Sequence, residues 1–331
     1  MLGRIVKGVG NFFDVFVEKA EDDSLSEFGH EYQEYKDNKE YKDKIIACNS
    51  KGVFRKDNIK PLVGDIVEIE INPDNKDEVI GVINKIYDRK NYLLRPPIAN
   101  LDVLFVVAAV KSPAPAYYFI DKLTVTAVNN NIVPVILINK IDLLDECGDI
   151  INSEIYNIYK KSGFKTSKVS AEKMCSDVCD FNEIKDEMRG QICAFAGVSG
   201  AGKSSVLNKL FPDLELGTGS LSSKIDRGKH TTRVVELFKT DLGGYVADTP
   251  GFSMLDFENY DNISKDNLIS GFPDLEKYAQ ECRYKKCTHT KEDGCEVLRA
   301  AAYNKIAHSR HESYAALYEQ LKKQRNKEWK N

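Results

Sequence analysis

Along residues 1–90 the apolar positions come in short alternating runs. Phe13, Val15 and Val17 alternate with other residues, and so do Val67, Ile69 and Ile71, which is the period of a half-buried strand. Segments 44–48 and 79–83 add strand candidates, and Gly and Asn-Pro-Asp clusters punctuate them. Several short strands in so small a stretch predict a small β-barrel. Within it, residues 18–43 hold ten acidic and four basic residues and almost no aliphatics. That stretch is expected to be an exposed loop or insertion. The segment 89–99, RKNYLLRPPIA, is expected to be a hinge, because its two prolines discourage helix and sheet alike.

From Leu101 the grammar changes. The runs LDVLFVVAAV, VPVILIN and ICAFAG are unbroken apolar segments. They alternate with helical stretches near 118–130, 149–161 and 203–210, which predicts a parallel sheet covered on both faces. Two more strands are expected near 234–239 and 244–248. After about residue 264 the pattern becomes helical and cysteine-rich. Tyr314, Leu317, Tyr318 and Leu321 fall on one helical face.

The chain has 331 residues and a net charge of −4, so a uniformly basic nucleic-acid binder is excluded. The charge is uneven. Residues 1–95 carry 16 basic and 19 acidic side chains (−3), 96–263 carry 17 and 22 (−5), and 264–331 carry 14 and 10 (+4). An anionic partner is therefore sought at the C-terminal end. The N-terminal stretch MLGRIVKGVGNFF lacks the apolar core of a signal peptide. The longest apolar run, 103–110, is far shorter than the roughly 20 residues of a membrane helix. A cytoplasmic protein is expected. Eight cysteines without a secretory signal then predict thiols or metal ligands rather than disulfides.

Gly197-Val198-Ser199-Gly200-Ala201-Gly202-Lys203-Ser204 matches GxxxxGK[ST] at every required position, between an apolar strand candidate and a helix candidate. Glycines let backbone N–H groups turn inward around phosphate oxygens, and the helix N-terminus adds favourable partial charge. Lys203 is expected to reach the β- and γ-phosphates, and the Ser204 hydroxyl to ligate magnesium. Ser205 follows on the same helix. Asp248-Thr249-Pro250-Gly251 follows a strand candidate. Its Asp248 suits the magnesium shell and its Gly251 N–H suits the γ-phosphate. A DxxG alone is common. Fifty residues after a phosphate loop, it reads as a switch.

Asn139-Lys140-Ile141-Asp142 ends another apolar strand candidate. A carboxylate there accepts two hydrogen bonds, from guanine N1–H and from its 2-amino group. Adenine offers no such pair, so Asp142 selects guanine. Asn139 is placed to tie this loop to the phosphate loop, and the Lys140 stem to lie along the base. Ser170-Ala171 adds a backbone N–H for guanine O6. In most GTPases the phosphate loop comes first. Here residues 139 and 170 precede 197, the threonines 231–232 and then 248, so the order is circularly permuted. Ligands in such sheets sit at strand C-termini, and a permuted chain assembles the same site.

Gly228-Lys229-His230-Thr231-Thr232 resembles a first switch. Thr232, with Thr231 as the alternative, is expected to close onto magnesium and the γ-phosphate. Where many GTPases place a water-orienting glutamine after DxxG, this chain has Phe252, so unaided hydrolysis is expected to be slow. His230 is the candidate water-positioning residue. The competing assignment is that it touches a partner or solvent.

Cys282-x4-Cys287-x-His289-x5-Cys295 gathers four metal-ligand types within 14 residues, which suits a closed tetrahedral structural zinc site. Cys175 and Cys179 lack nearby partners in sequence and are taken as incidental. Cys48, Cys147 and Cys193 are taken as ordinary small residues. The tail 297–331 has eight Lys and Arg against three acids, with His308 and His311. Next to a zinc knuckle, that favours contact with an RNA backbone.

NKID, GVSGAGKSS, GKHTT and DTPGF in this permuted order, followed by CxxxxCxHxxxxxC, resemble the RsgA family of small-ribosomal-subunit-dependent GTPases. RPPIANLD and PLVGDIVE are similar to the same family. The resemblance covers nearly the whole chain. It implies three domains: an OB-fold RNA-binding β-barrel (1–92), a circularly permuted α/β P-loop GTPase (93–263) and a helical zinc-binding domain (264–331). It also implies a late-acting maturation factor that binds the small ribosomal subunit and its rRNA and hydrolyses GTP to GDP there. In that family the first-switch histidine has been considered catalytic, which points to His230. The acidic stretch 18–43 is longer than the loop the resemblance implies. Two other functions share the binding motifs: a nucleotide-gated RNA-binding module without useful hydrolysis, and a GTPase acting on a non-ribosomal partner. A monomer is expected, since no coiled-coil pattern occurs.

Overall fold

The computed structural model describes residues 1–17, 41, 43–52, 54, 59–71, 81–171, 173–212, 235–248 and 263–328. The expectation for the acidic stretch falls almost wholly outside these residues. The chain divides into two compact units. The first takes the described parts of Met1–Asp102, Glu187–Ala194 and Gly219–Gly251. The second takes those of Val103–Asp186, Phe195–Thr218 and Phe252–Asn331.

The first unit opens with β1 (Leu2–Val9), β2 (Phe12–Val17), β3 (Ile45–Ser50), β4 (Ile66–Ile71) and β5 (Gly81–Ile86). Strand β1 pairs antiparallel with both β2 and β4, β2 pairs with β3, β3 runs parallel to β5, and β5 pairs with β4. The five strands therefore close a barrel in the order β1-β2-β3-β5-β4, the partly Greek-key arrangement of an OB-fold. Closure removes free sheet edges. The interior is filled by Ile5, Val15, Ile46, Val67, Ile69 and Ile83, all buried, each contributing about 1.5–3 kcal/mol by leaving water. The alternation of Phe13, Val15 and Val17 is the inward face of β2.

The segment expected to be a hinge is instead a hairpin, β6 (Tyr92–Leu94) with β7 (Pro97–Ala99). Pro96 sits in the connecting turn and Pro97 opens β7. A proline is tolerated at the first residue of an edge strand, where its missing N–H costs no ladder bond. Two asparagines secure the hairpin, one tying its two ends together and the other tying it to the barrel side. Asn91 Nδ2 donates to the Leu101 carbonyl at 2.8 Å, and Asn100 Nδ2 donates to that of Gly64 at 3.0 Å. Polar side chains with the right reach, rather than apolar periodicity, stiffen this connection.

Among the described residues, the second unit carries parallel strands and helices. Strand β8 (Val103–Ala109) is entirely buried. It is followed by α1 (Tyr117–Asn129), β9 (Val133–Asn139), α2 (Glu154–Lys161) and β10 (Lys165–Lys168). Strand β9 runs parallel to β8 on one side and β10 on the other. The helix expected over 149–161 is shorter. A 3-10 segment, Cys147–Asn152, precedes it, and the chain turns at Ser153, whose hydroxyl accepts from the Tyr156 N–H to cap α2. Then come α3 (Phe181–Met188) and β11 (Ile192–Ala196), which carries the chain between the units, and α4 (Lys203–Leu210). In the first unit β11 runs parallel to β13 (Tyr245–Asp248), and β12 (Glu236–Lys239) pairs antiparallel with β13.

The C-terminal helices are α5 (Pro273–Ala279), α6 (Glu296–Ala302) and α7 (His308–Glu328). Tyr314, Leu317 and Leu321 bury the predicted face of α7 against Phe272, Leu275, Val297 and Ala300, together with Val125 of α1. One member of the supposed basic tail does not belong to it. Arg310 is fully buried, with its Nη2 2.8 Å from Asp274 Oδ1 and its Nη1 on Asp121 Oδ1. Tyr159 also donates to Asp121, at 2.9 Å. Burial works against the Arg310 charge, and Asp121 and Asp274 more than offset it, so its pKa rises. A side chain spent on two buried carboxylates offers nothing to RNA. Replacing Arg310 by Ala leaves those carboxylates without their cation and should destabilise the protein by about 3–5 kcal/mol. Equilibrium denaturation of the variant checks this, and a loss below about 1 kcal/mol would mark the network as dispensable.

Candidate active site and metal centre

The candidate nucleotide loops meet because strand ends bring them together. Residues 197–202 connect β11 to α4, and 139–142 leave the end of β9. Asn139 is buried, and its Nδ2 donates to the Ala201 carbonyl at 2.8 Å. Its Oδ1 is buried with no hydrogen-bond partner among the described residues. Such an orphaned acceptor has a cost unless something donates to it, as the edge of a bound base could. Two glycines make the close approach possible. A Cβ on Gly202, which has φ +92°, would lie 2.2 Å from Asn139 Nδ2, and one on Gly197 would lie 2.2 Å from the Val107 carbonyl oxygen. No side chain fits at either position.

Lys203, the first residue of α4, folds its ammonium back over the loop. Its Nζ donates to the carbonyls of Gly197 at 2.7 Å and Val198 at 3.2 Å. Burial lowers its pKa, so the ion gains from an anionic ligand. Ser204 is half-buried beside it in the first turn, while Ser205 is exposed, as are Ser199 and Gly200 at the loop's outer bend. Val198 is half-buried and Ala201 buried.

Lys140 takes the left-handed conformation at φ 63°, which swings the chain from β9 into a 3-10 turn, Ile141–Leu143. Its ammonium donates to the Ser112 carbonyl. Ile141 is the buried anchor of that turn, and Asp142 stands half-buried beside it. The hydroxyl of Ser170, itself buried, donates to Asp142 Oδ1, while Ala171 is exposed. Ser170 thus stands beside the Asp142 carboxylate and orients it. With Asp142 reading guanine as the sequence predicts, Asn in its place takes the charge from two hydrogen bonds, each worth about 1.5–3 kcal/mol, and turns one acceptor into a donor. GTP affinity is then expected to fall about 10²- to 10⁴-fold. A titration with a fluorescent guanine nucleotide checks this, and unchanged affinity would remove Asp142 from the site.

His230, Thr231, Thr232, Gly251 and Phe252 lie outside the described residues. Asp248 closes β13, with its backbone in register with Glu236 of β12.

The four predicted ligands of the second site converge. Cys282 Sγ lies 3.8 Å from Cys295 Sγ and 3.5 Å from His289 Nδ1, and Cys295 Sγ lies 3.6 Å from that nitrogen. With Cys287 included, all four ligand atoms fall within 4.8 Å of one another. A tetrahedron with metal–sulfur bonds of about 2.3 Å has sulfur–sulfur edges of about 3.8 Å, so the donor set fits zinc. Burial lowers the His289 pKa, which leaves the ring neutral and able to ligate. Burial and the neighbouring sulfurs of Cys295 and Cys282 push the Cys287 thiol up to about 12. A bound divalent cation would reverse that preference. Glu292 shapes the loop by accepting from the backbone N–H groups of Thr288 at 2.8 Å and Thr290 at 3.1 Å.

One cysteine expectation is overturned. Cys147 and Cys175 are joined by a disulfide, with Cα atoms 5.7 Å apart. Each follows a candidate base-reading residue by five positions, Cys147 after Asp142 and Cys175 after Ser170. That equal offset is the only trace of the pairing in the sequence, and it acquires meaning only once the two loops are known to be neighbours.

The model for the RsgA GTPase matches residues 86–258, and that for the RsgA N-terminal domain matches 38–82. The chain is 38% identical over 321 residues to the small ribosomal subunit biogenesis GTPase RsgA of Ruminiclostridium cellulolyticum, covering 97% of this chain and 94% of that protein. It is 37% identical over 332 residues to the protein of the same name from Caldanaerobacter subterraneus, covering 99% and 98%. Among solved structures, YjeQ from Thermotoga maritima superimposes with a TM-score of 0.72 at 33% identity, covering 97% of this chain and 98% of that one. YloQ, described as a circularly permuted GTPase, gives 0.70 at 30%, covering 98% and 95%. With the barrel, the permuted motif order and the Cys3His cluster in place, this agreement along nearly the whole length makes the chain a member of the RsgA family of circularly permuted GTPases.

Proposed function

We propose that this GTPase assists the late maturation of the small ribosomal subunit in the cytoplasm, acting as a monomer that hydrolyses GTP slowly alone and faster on the subunit. The observation that carries this is the near end-to-end match, in both directions, to proteins named small ribosomal subunit biogenesis GTPases. Among the described residues no helix is long and apolar enough to cross a membrane. The division into barrel, GTPase and zinc domains at 92/93 and 263/264 belongs to the same proposal.

In this reading the backbone N–H groups of 197–205 wrap the phosphates and Lys203 neutralises the β- and γ-oxygens. Asp142 holds guanine N1–H and the 2-amino group, with Ser170 orienting it. The Ala171 N–H meets O6, Asn139 fastens the base loop to the phosphate loop, and the Lys140 stem covers the base. Ser204, Thr232 and Asp248 would hold magnesium, which when bound would screen charge building on the phosphates. Gly251 meets the γ-phosphate, and His230 positions the attacking water. Phe252 offers no polar atom for that water, which is why the subunit is needed. Exposed Lys322 and Lys323 on α7 face solvent and suit an RNA backbone. Arg310 does not contribute there.

The test is GTP hydrolysis by the purified protein, with and without small ribosomal subunits, using ATP as control. A rise of about 10²-fold or more with subunits, for GTP alone, is expected. His230→Ala should remove most of that rise while leaving nucleotide binding intact. A flat rate with GTP still bound would favour a nucleotide-gated binder or a different partner.

A further inference from the structure

We infer that the Cys147–Cys175 disulfide is a positioning crosslink for guanine recognition, and that its reduction by a dithiol loosens the nucleotide's grip. The inference rests on the guanine reading of Asp142 and Ser170 and extends it to the control of that contact.

Three short 3-10 turns pack against one another here: Ile141–Leu143 with Asp142, Cys147–Asn152, and Lys173–Val178 following Ser170. Recognition needs Asp142 and the Ser170-Ala171 backbone held to within about 0.5 Å of the productive arrangement. Yet the stretch between Asp142 and the next buried anchor, Ile150, is thinly packed. Leu143, Asp145, Glu146, Gly148 and Asp149 are exposed, which marks a segment of low local stability. Among the described residues, two ties cross from it to other segments. Lys111 Nζ donates to the Leu143 carbonyl at 3.2 Å in an exposed contact. The disulfide is the covalent tie, and it joins the Asp142 side to the Ser170 side. It lies in the loops that read the base, not in the barrel or the zinc module.

The bond is built to be opened from one side. Cys147 is half-buried and Cys175 is fully buried, so an incoming thiolate meets the Cys147 sulfur. That thiolate bonds to Cys147 Sγ, the S–S bond breaks, and Cys175 leaves with the electron pair and takes a proton. The reductant's second thiolate then displaces Cys147, which leaves as a thiolate and is protonated. The dithiol is oxidised to a disulfide, and two protein thiols are formed. In a reducing compartment such a bond is transient and redox-sensing rather than permanent. The oxidised chain holds its guanine nucleotide, and the reduced chain releases it more readily.

The experiment uses the full chain with saturating zinc. Fluorescent GDP and its inosine counterpart are titrated into oxidised protein, into dithiol-reduced protein and into Cys147→Ser under both conditions. Thiol alkylation and mass spectrometry report the bond. The expected result is GDP binding about tenfold weaker on reduction of the wild type. The GDP-to-IDP affinity ratio should shrink as Asp142 loses its alignment with the 2-amino group. Cys147→Ser should match the reduced wild type in both conditions, which separates the effect from any action of the reductant on the zinc cysteines. Equal GDP affinity in both redox states overturns the inference and leaves the guanine site standing. So does finding only free thiols at 147 and 175 after mild oxidation. A purely structural crosslink would lower thermal stability on reduction without moving the GDP-to-IDP ratio, and that outcome also overturns it. No GDP binding in any state would overturn the guanine reading itself.

Discussion

Lys203→Ala is expected to lower kcat/KM for GTP by about 10³-fold or more, a loss of about 4 kcal/mol of transition-state stabilisation. The ammonium is the one cation that the phosphate loop itself supplies. It already sits inside the loop, on the carbonyls of Gly197 and Val198. Burial lowers its pKa, whereas phosphate oxygens beside it would raise it. The position therefore favours an anion over solvent. Alanine removes the charge while keeping helix propensity in the first turn of α4, so the fold should persist. Single-turnover hydrolysis and a thermal melt on the same sample separate the two effects. Near-normal hydrolysis with an intact fold would show that these glycines and this lysine are not the catalytic phosphate site.

Chelating the zinc that the Cys3His cluster is expected to bind, or replacing Cys282 by Ala, should release the 282–295 loop and sharply lower stability. Structural zinc in isolated finger peptides contributes about 10–16 kcal/mol of apparent folding free energy. Less is at stake here, because α5, α6 and α7 have an apolar core of their own around Phe272, Leu275, Val297 and Leu317. The loop has no such core. Its order depends on the four ligands, on the Glu292 contacts and on His311, whose ring Nε2 lies 2.8 Å from the His289 carbonyl. We expect one zinc per chain by metal analysis. Chelation should bring protease cleavage between 282 and 295 first and a clear fall in the unfolding temperature. A chain free of zinc that melts unchanged after chelation would count against the site.

The parts of the site that were legible in the sequence are those whose meaning is local. GxxxxGK[ST] specifies a loop within eight residues, and CxxxxCxHxxxxxC places four donors on one short turn. Neither depends on distant chain. The inward face of β2 and the buried run of β8 were legible for the same reason, because strand period and apolar continuity are properties of a few neighbours. The hairpin at 92–99 was not, because Asn91 and Asn100 stabilise it through backbone groups at Leu101 and Gly64 that no periodicity reveals. Arg310 was misread because lysine and arginine in a run look alike until their partners are known.

The amino-acid order by itself determined the classes of element, the permuted succession of the motifs and the four residues of the Cys3His cluster. Tertiary structure alone decided which distant groups meet. It closed the barrel through β1 and β4, and it set Asn139 against Ala201. It placed Arg310 on Asp121, 189 residues away, and it brought Cys147 to Cys175. Short-range preferences are written into backbone sterics and side-chain spacing. A contact between distant residues has no local signature, because it exists only after the whole core has chosen its packing.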